Sequence, residues 1–386
     1  MKFEFPHVEP PPGVSPADWN SSSWQFKNSL KNLEDYQRYY QLTDEERAGF
    51  SGQDQIFRVR TTPYYAQLGR GPYGALDPIR KILMPSRAEL TPGVQHMLDP
   101  LGERKNNPVS RIIHRYPDRV LFLVTDFCSV YCRYCTRKHF TGQDQVFPNA
   151  EELETAFKYL QDHKEISEVI LSGGDPLTLS NSQLSMVLRR IRKIEHIEII
   201  RIGTRIPVVA PMRIDEELLE IIKRHHPIYM MTHFNHPREL TQLAAQALTR
   251  IVDRGIPTFN QMVLLNGVNN HANIVRALSR RLLYLRVKPY YMFQCDPSEG
   301  TDHFRTSIED SENIQRQLWG SLSGLAMPNL SLDIPNGGGK VGLVPDFEQL
   351  RSPQRRIYRG WDGVVAEYVN PEPSTIETPV DFRQWE

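Results

Sequence analysis

Three of the chain's four cysteines fall within CSVYCRYC (128–135), spaced C-x3-C-x2-C, and the fourth, Cys295, lies far downstream. Thiolates this close together hold metal. Zinc requires a fourth donor to close a tetrahedron, and Cys295 or His139 is available. Iron–sulfur clusters take Cys thiolates from short loops, and three thiolates on a four-iron cluster leave one iron open to another ligand. Two glycine-containing stretches also stand out. In LSGGDPL, Gly173 and Gly174 precede Asp175. Paired glycines let a backbone approach a ligand closely, or they form a tight turn capped by Asp175. In DIPNGGGKVG, three glycines precede Lys340. This is not a phosphate loop, because Ile334 stands where the first glycine is required and Val341 where Ser or Thr is required. A lysine after a flexible glycine run suits Schiff-base chemistry with an aldehyde cofactor; the plainer alternative is an exposed loop lysine.

Elements that would position these residues recur along the chain. Short apolar runs appear at 121–128, 168–175, 198–204, 228–234, 259–265 and 289–296, separated by amphipathic segments such as EELETAFKYLQDH and DEELLEIIKRHH. Near-continuous apolar strands alternating with helices imply right-handed βαβ units and a buried parallel sheet. Six units are too few for a closed eightfold barrel. The expected fold is α/β: an open, partial (β/α)6 barrel with an N-terminal helical segment and a C-terminal extension. The expected divisions are 1–110, 111–300 and 301–386. Polar residues gather where the strands end: Asp126 and Cys128, Ser172 to Asp175, Thr204 and Arg205, His233, Gln261, and Cys295 with Asp296. Ligands of parallel α/β folds bind at that rim, so one shared active site is expected.

The flanks are simpler. Residues 1–18 read as a Pro-rich arm and 18–50 as helical, with a capping box at Thr43 and Glu46. A further apolar run, LSLDIP, precedes Asn336, and RRIYRGWDGVVAEYV reads as a hairpin turning at Asp362-Gly363. NPEPSTIETP (370–379) is too polar and Pro-rich for a core element. With 46 basic and 46 acidic residues the chain has no cationic surplus, so a nucleic-acid partner is not expected. No stretch approaches the ~20 apolar residues of a membrane span. Few cysteines and no signal-like N-terminus point to a cytoplasmic protein.

Six stretches in order, HRYPDRVLFLVTDFCSVYCRYCTRKHF, LSGGDPL, RIGTRIPVV, THFNHP, YYMFQCDPSEGTDHFRT and DIPNGGGK, resemble the lysine 2,3-aminomutase family of radical S-adenosylmethionine (SAM) enzymes. The similarity runs from about WQFKN to the C-terminal hairpin. It implies that Cys128, Cys132 and Cys135 hold a [4Fe–4S] cluster whose fourth iron is chelated by SAM. One electron from the cluster then yields a 5′-deoxyadenosyl radical. By the same resemblance, Gly173, Gly174 and Asp175 flank the methionine amino group, and His233 and Gln261 line the SAM site. Lys340 forms the Schiff base with pyridoxal 5′-phosphate (PLP), whose phosphate Arg115 and Tyr116 hold. The implied reaction moves the α-amino group of L-lysine to C3 through an azacyclopropylcarbinyl radical.

The resemblance also implies that Asp296 and Asp333 bind the substrate's ε-ammonium and that Arg137 pairs with its α-carboxylate. The glutamate-acting relatives lack the acidic pair. A small amino-acid substrate, a flavodoxin- or ferredoxin-type electron donor and a homo-oligomer follow as expected partners. The sequence departs from the family at Lys138 and His139, where arginines are common, and at Asn336, which replaces a glycine. No cysteine follows Cys295, so the structural zinc of the best-known members is not expected. Two alternatives stay open on the sequence alone: the same chemistry on arginine or another basic residue, and a zinc-stabilised binding protein without catalysis.

Overall fold

The computed structural model describes residues 3–52, 58–91, 93, 95–138, 141, 146–369 and 371. His139 lies outside these residues, as does all of 370–379 except Pro371. The apolar runs become strands β2 (Arg119–Thr125), β3 (Glu168–Gly173), β4 (Ile199–Thr204), β5 (Ile228–Thr232), β6 (Thr258–Val263) and β7 (Lys288–Phe293). LSLDIP contributes a seventh parallel strand, β8 (Asn329–Ile334). Two antiparallel strands flank the parallel set: β1 (Ile112–Tyr116) on β2 and β9 (Gly339–Gly342) on β8. Spatial order equals chain order from β1 to β9. The sixfold expectation is therefore extended by three strands. β1 gives little signal in the sequence because IIHRY has only two leading apolar residues and then turns polar.

Helices Ala150–Asp162, Asn181–Ile191, Glu216–Lys223, Gln242–Asp253, Ala272–Tyr284 and Ile308–Leu318 make the crossovers. Each begins at a residue whose side chain accepts a backbone N–H of the first turn: Asn149, Ser180, Asp215, Thr241, His271 and Ser307. These caps pair donors that the helix cannot pair itself. The outward strand residues Val169, Leu171, Ile200, Ile202, Ile228 and Met230 are fully buried with the helices' apolar stripes. Burying each such side chain stabilises the fold by about 1.5–3 kcal/mol. The inward residues Ile170, Arg201, Tyr229, Gln261 and Phe293 are only partly buried, so the sheet encloses an accessible lumen.

No backbone pairing joins β1 to β9, yet the two edges meet through side chains. Arg115 on β1 donates to Asp333 on β8 at 2.8 Å, and the Lys340 backbone N–H on β9 donates to the Tyr116 hydroxyl at 3.0 Å. The curled sheet thus remains open in its backbone ladder while polar side chains bridge the seam.

The N-terminal segment is helical at Pro16–Trp19, Ser22–Lys27, Leu33–Tyr39 and Asp44–Gly49, with the expected Thr43–Glu46 capping box. Phe5, Trp19, Tyr36 and Tyr64 join Val208, Phe234, Leu248 and Leu264 in one hydrophobic cluster, so this segment packs on the barrel. The C-terminal hairpin forms as β11 (Arg355–Arg359) and β12 (Val365–Val369), with Gly363 at φ +86° in its turn. β10 (Glu348–Arg351) adds a third strand beyond the expected hairpin. Among the described residues no helix is long and apolar enough to cross a membrane.

Candidate active site at the carboxyl rim of the sheet

The cysteine loop follows β2 and takes its shape from the N-terminal segment. The residues between the cysteines are the anchors. Tyr131 N–H donates to the Arg60 carbonyl and Arg133 N–H to the Ile82 carbonyl, both at 3.0 Å. The buried Arg133 guanidinium grips both oxygens of buried Glu89 and donates to the Arg58 carbonyl at 2.9 Å. A paired and hydrogen-bonded buried charge is tolerated, whereas an unpaired one is costly. Cys135 N–H turns back onto the Cys132 carbonyl at 3.0 Å. Burial pushes the Cys135 thiol up to about 11, with the neighbouring Cys132 adding to the shift. Burial and then Cys135, Asp175 and Cys132 raise Cys128 well above the usual thiol range. Thiols that resist ionisation together become good ligands only beside a strong cationic centre.

The glycine doublet serves this loop. A Cβ on Gly173, at φ +113°, would lie 2.2 Å from the Thr125 carbonyl oxygen, and one on Gly174 would lie 2.1 Å from that of Phe127. The close backbone approach expected from the sequence is therefore made to the end of β2 and the start of the cysteine loop. Gly174 N–H donates to the Thr125 carbonyl at 2.6 Å and Asp175 N–H to that of Phe127 at 2.8 Å. The buried Asp175 carboxylate accepts from Leu177 N–H at 3.1 Å, the Thr204 hydroxyl at 2.7 Å and Arg205 N–H at 2.7 Å. It caps the turn and ties β3 to β4.

His233, after β5, stacks on Tyr134 at 6.3 Å between ring centroids. Burial and then the Arg205 cation lower its pKa to about 3, so the imidazole is neutral. Gln261 points from β6 into the same lumen as an inward, half-buried side chain.

The other half of the site gathers at the seam. Lys340 does not sit at the tip of a flexible glycine run: it lies in β9, registered opposite Asp333. Its ammonium donates to the Asp333 carboxylate at 3.3 Å and lies 5.4 Å from the Phe293 ring centroid. The preceding turn is docked, with Asn336 N–H on the Pro100 carbonyl at 2.9 Å. Asn336 has φ +61°, which explains the departure from glycine there, since Asn tolerates the left-handed region better than most residues. Arg115 bridges Asp333 and the Tyr116 hydroxyl, the latter at 3.0 Å. Asp296 is raised to about 7, first by burial and then by Asp333, against the pull of Lys340 and Arg115. Arg137 donates through Nε to Glu103 at 2.9 Å and through Nη1 to Ser172 at 2.7 Å, within electrostatic reach of both Cys135 and Asp333. It links the thiol half of the rim to the lysine half.

Most of the expected residues lie at or near the carboxyl ends of the parallel strands. Arg115 and Tyr116, at the end of antiparallel β1 beside the start of β2, join them through Asp333 and Lys340 across the seam. Cys295 does not join the cysteines; it is buried in the hydrophobic cluster beside Asp296. Among the described residues no group of three or more His, Cys, Asp or Glu side chains is arranged to hold a single metal ion. Three thiols on a short loop suit a cluster, in which each thiolate takes a different iron. Sequence reading does not identify Glu103, Glu89 or Glu239 as partners of the rim's arginines; none lies in a recognisable motif.

Comparison with known proteins decides the family. The chain is 40% identical over 381 residues to an L-lysine 2,3-aminomutase of Fusobacterium nucleatum, covering 97% of this chain and 88% of that protein. The chain belongs to the lysine 2,3-aminomutase family. An L-lysine 2,3-aminomutase of Clostridium subterminale is 41% identical, with 93% of this chain and 86% of that protein covered. A glutamate 2,3-aminomutase of Clostridioides difficile is 37% identical, with 92% and 84% covered. The radical SAM superfamily model matches residues 122–278 and the lysine-2,3-aminomutase model residues 315–384. As a member of this aminomutase family the chain is an isomerase that uses a [4Fe–4S] cluster and SAM, not a non-catalytic zinc protein.

Proposed function

We propose that this aminomutase converts L-lysine to L-β-lysine and uses PLP on Lys340. The observation that carries the substrate assignment is the acidic pair at the seam. Asp296 and Asp333 are close enough to repel, and Asp333 is already bound to Arg115 and Lys340. A pair of partly buried carboxylates recognises a cation and would reject a carboxylate-bearing side chain.

In this reading Cys128, Cys132 and Cys135 hold the cluster, and Gly173, Gly174, Asp175, His233 and Gln261 shape the SAM side of the lumen. Arg115 and Tyr116 hold the PLP phosphate, for which an Arg fork and a hydroxyl donor are suited. When bound, the cluster and SAM supply a radical able to take hydrogen from an unactivated carbon, and PLP supplies the π-system across which nitrogen moves. The chain's own residues fix the substrate at both ends. Arg137, pre-set by Glu103 and Ser172, takes the α-carboxylate. The Asp pair takes the ε-ammonium. Holding the amino acid at two charged ends restricts which hydrogen faces the radical. His233, neutral in its buried setting, adds no charge to the SAM side of the lumen. A flavodoxin- or ferredoxin-type donor supplies the electron, and the chain works as a homo-oligomer in the cytoplasm.

The test is incubation of reduced, anaerobically reconstituted enzyme with lysine, arginine and glutamate, followed by identification of β-amino products. β-Lysine is expected. A β-amino product from arginine alone would move the assignment to another basic substrate. Product from glutamate but not lysine would overturn the role given to Asp296 and Asp333.

A further inference from the structure

Arg205 belongs to no role derived above, yet its side chain reaches the cysteine loop. It follows β4 and is buried. Its backbone is fixed by its N–H bond to Asp175. Its guanidinium is clamped on one side: Nη2 donates to Glu239 at 2.7 Å and to the Tyr65 hydroxyl at 2.8 Å. Glu239 is fully buried and rigid in turn, accepting from Tyr65 at 2.6 Å, Asn235 N–H at 2.6 Å and His236 N–H at 3.0 Å. The other amino group, Nη1, is thereby aimed at Cys132 and donates to its sulfur at 2.6 Å.

We propose that Arg205 is a positioning residue for the iron–sulfur cluster, directing a charged N–H donor at the Cys132 sulfur and so raising the cluster's reduction potential. The inference rests on the reading of Cys128, Cys132 and Cys135 as cluster ligands. Its physical basis is simple. Taking up one electron from the donor adds one negative charge, which spreads onto the thiolate sulfurs. A buried cation and an N–H···S bond favour the more negative state, and both are recognised controls on cluster potential. An Arg205–Glu239 pair serving the fold alone needs no amino group on the sulfur. The fork geometry of Arg lets one end be anchored while the other is presented, which Lys, a single point donor, cannot do.

The experiment reconstitutes wild type, Arg205→Gln and Arg205→Lys anaerobically without SAM, measures iron and sulfide, and follows cluster reduction by EPR during a redox titration. In Arg205→Gln the equilibrium for one-electron reduction is expected to fall at least tenfold, a downward shift of about 59 mV. Arg205→Lys keeps the charge with Glu239 but withdraws from Cys132, and is expected to shift in the same direction by less. If Arg205→Gln fails to fold or to hold iron, Arg205→Lys carries the test. Potentials equal to wild type in cluster-loaded variants would overturn the proposal while leaving the cluster reading intact. A wild-type protein that takes up no iron and sulfide would instead overturn the cluster reading itself.

Discussion

Asp296 offers the sharpest test of the substrate assignment. Its carboxyl is held at about 7 against an ordinary 3.8, first by burial and then by Asp333, with Lys340 and Arg115 opposing. A lysine side chain must meet the ionised form. At pH 6 roughly a tenth of the free enzyme is ionised at this position, and at pH 8 roughly nine-tenths. Lysine kcat/KM should therefore rise about ninefold across that interval as Asp296 loses its proton. The sign follows from the raised pKa: low pH protonates Asp296 and removes the charge the substrate needs. Asp296→Asn should abolish this step. At pH 8 it should also lower kcat/KM by roughly 30-fold to several thousand-fold, corresponding to the 2–5 kcal/mol typical of truncating one member of a buried charge pair. The assay is initial-rate formation of β-lysine by reconstituted enzyme from pH 6 to 8. A variant within threefold of wild type, or one that keeps the step near pH 7, would refute the reasoning.

Three further outcomes follow from the geometry. Alanine at Cys128, Cys132 or Cys135 should prevent the brown visible absorbance on anaerobic reconstitution, and a retained chromophore would remove that residue from the ligand set. Borohydride should trap PLP on Lys340, detectable by peptide mass, and Lys340→Ala should lose the adduct; an adduct at another lysine would contradict the assignment. Gly174→Ala brings a Cβ within 2.1 Å of the Phe127 carbonyl oxygen, whereas the same change at Gly324 meets nothing within 4 Å. Thermal or denaturant melts should show the first variant destabilised by about 1–3 kcal/mol and the second near wild type.

Much of the rim is legible in the sequence. Strands β2 to β7 announce themselves because a sheet covered by helices needs near-continuous apolar runs. The cysteine spacing and the lysine after the glycines are local patterns, and local patterns survive in a sequence. What is not legible is of two kinds. Strand β1 carries Arg115 and Tyr116, whose polarity serves the seam, and His114, which pairs with the Tyr159 hydroxyl of the first crossover helix; together they hide the strand. The partners Glu89, Glu103 and Glu239 lie dozens of residues from the arginines they fix, at separations of 44 to Arg133, 34 to Arg137 and 34 to Arg205. No periodicity links such pairs.

The roles of the glycines and of Lys340 divide along the same line. The sequence by itself determined which residue types could do chemistry: three thiols at cluster spacing, a paired glycine after a strand, a lysine after a glycine run, two aspartates near strand ends. Only the folded chain decided what each meets. Gly173 and Gly174 are glycine because the carbonyls of Thr125, at the end of β2, and of Phe127, just before the cysteines, occupy the space of a Cβ. Lys340 faces Asp333 because β9 turns back on β8 in that register. Arg115 and Tyr116 reach both because the curl of the sheet brings its first strand to its last. Register and curvature depend on long-range packing, and a one-residue slip would send every one of these side chains to the opposite face.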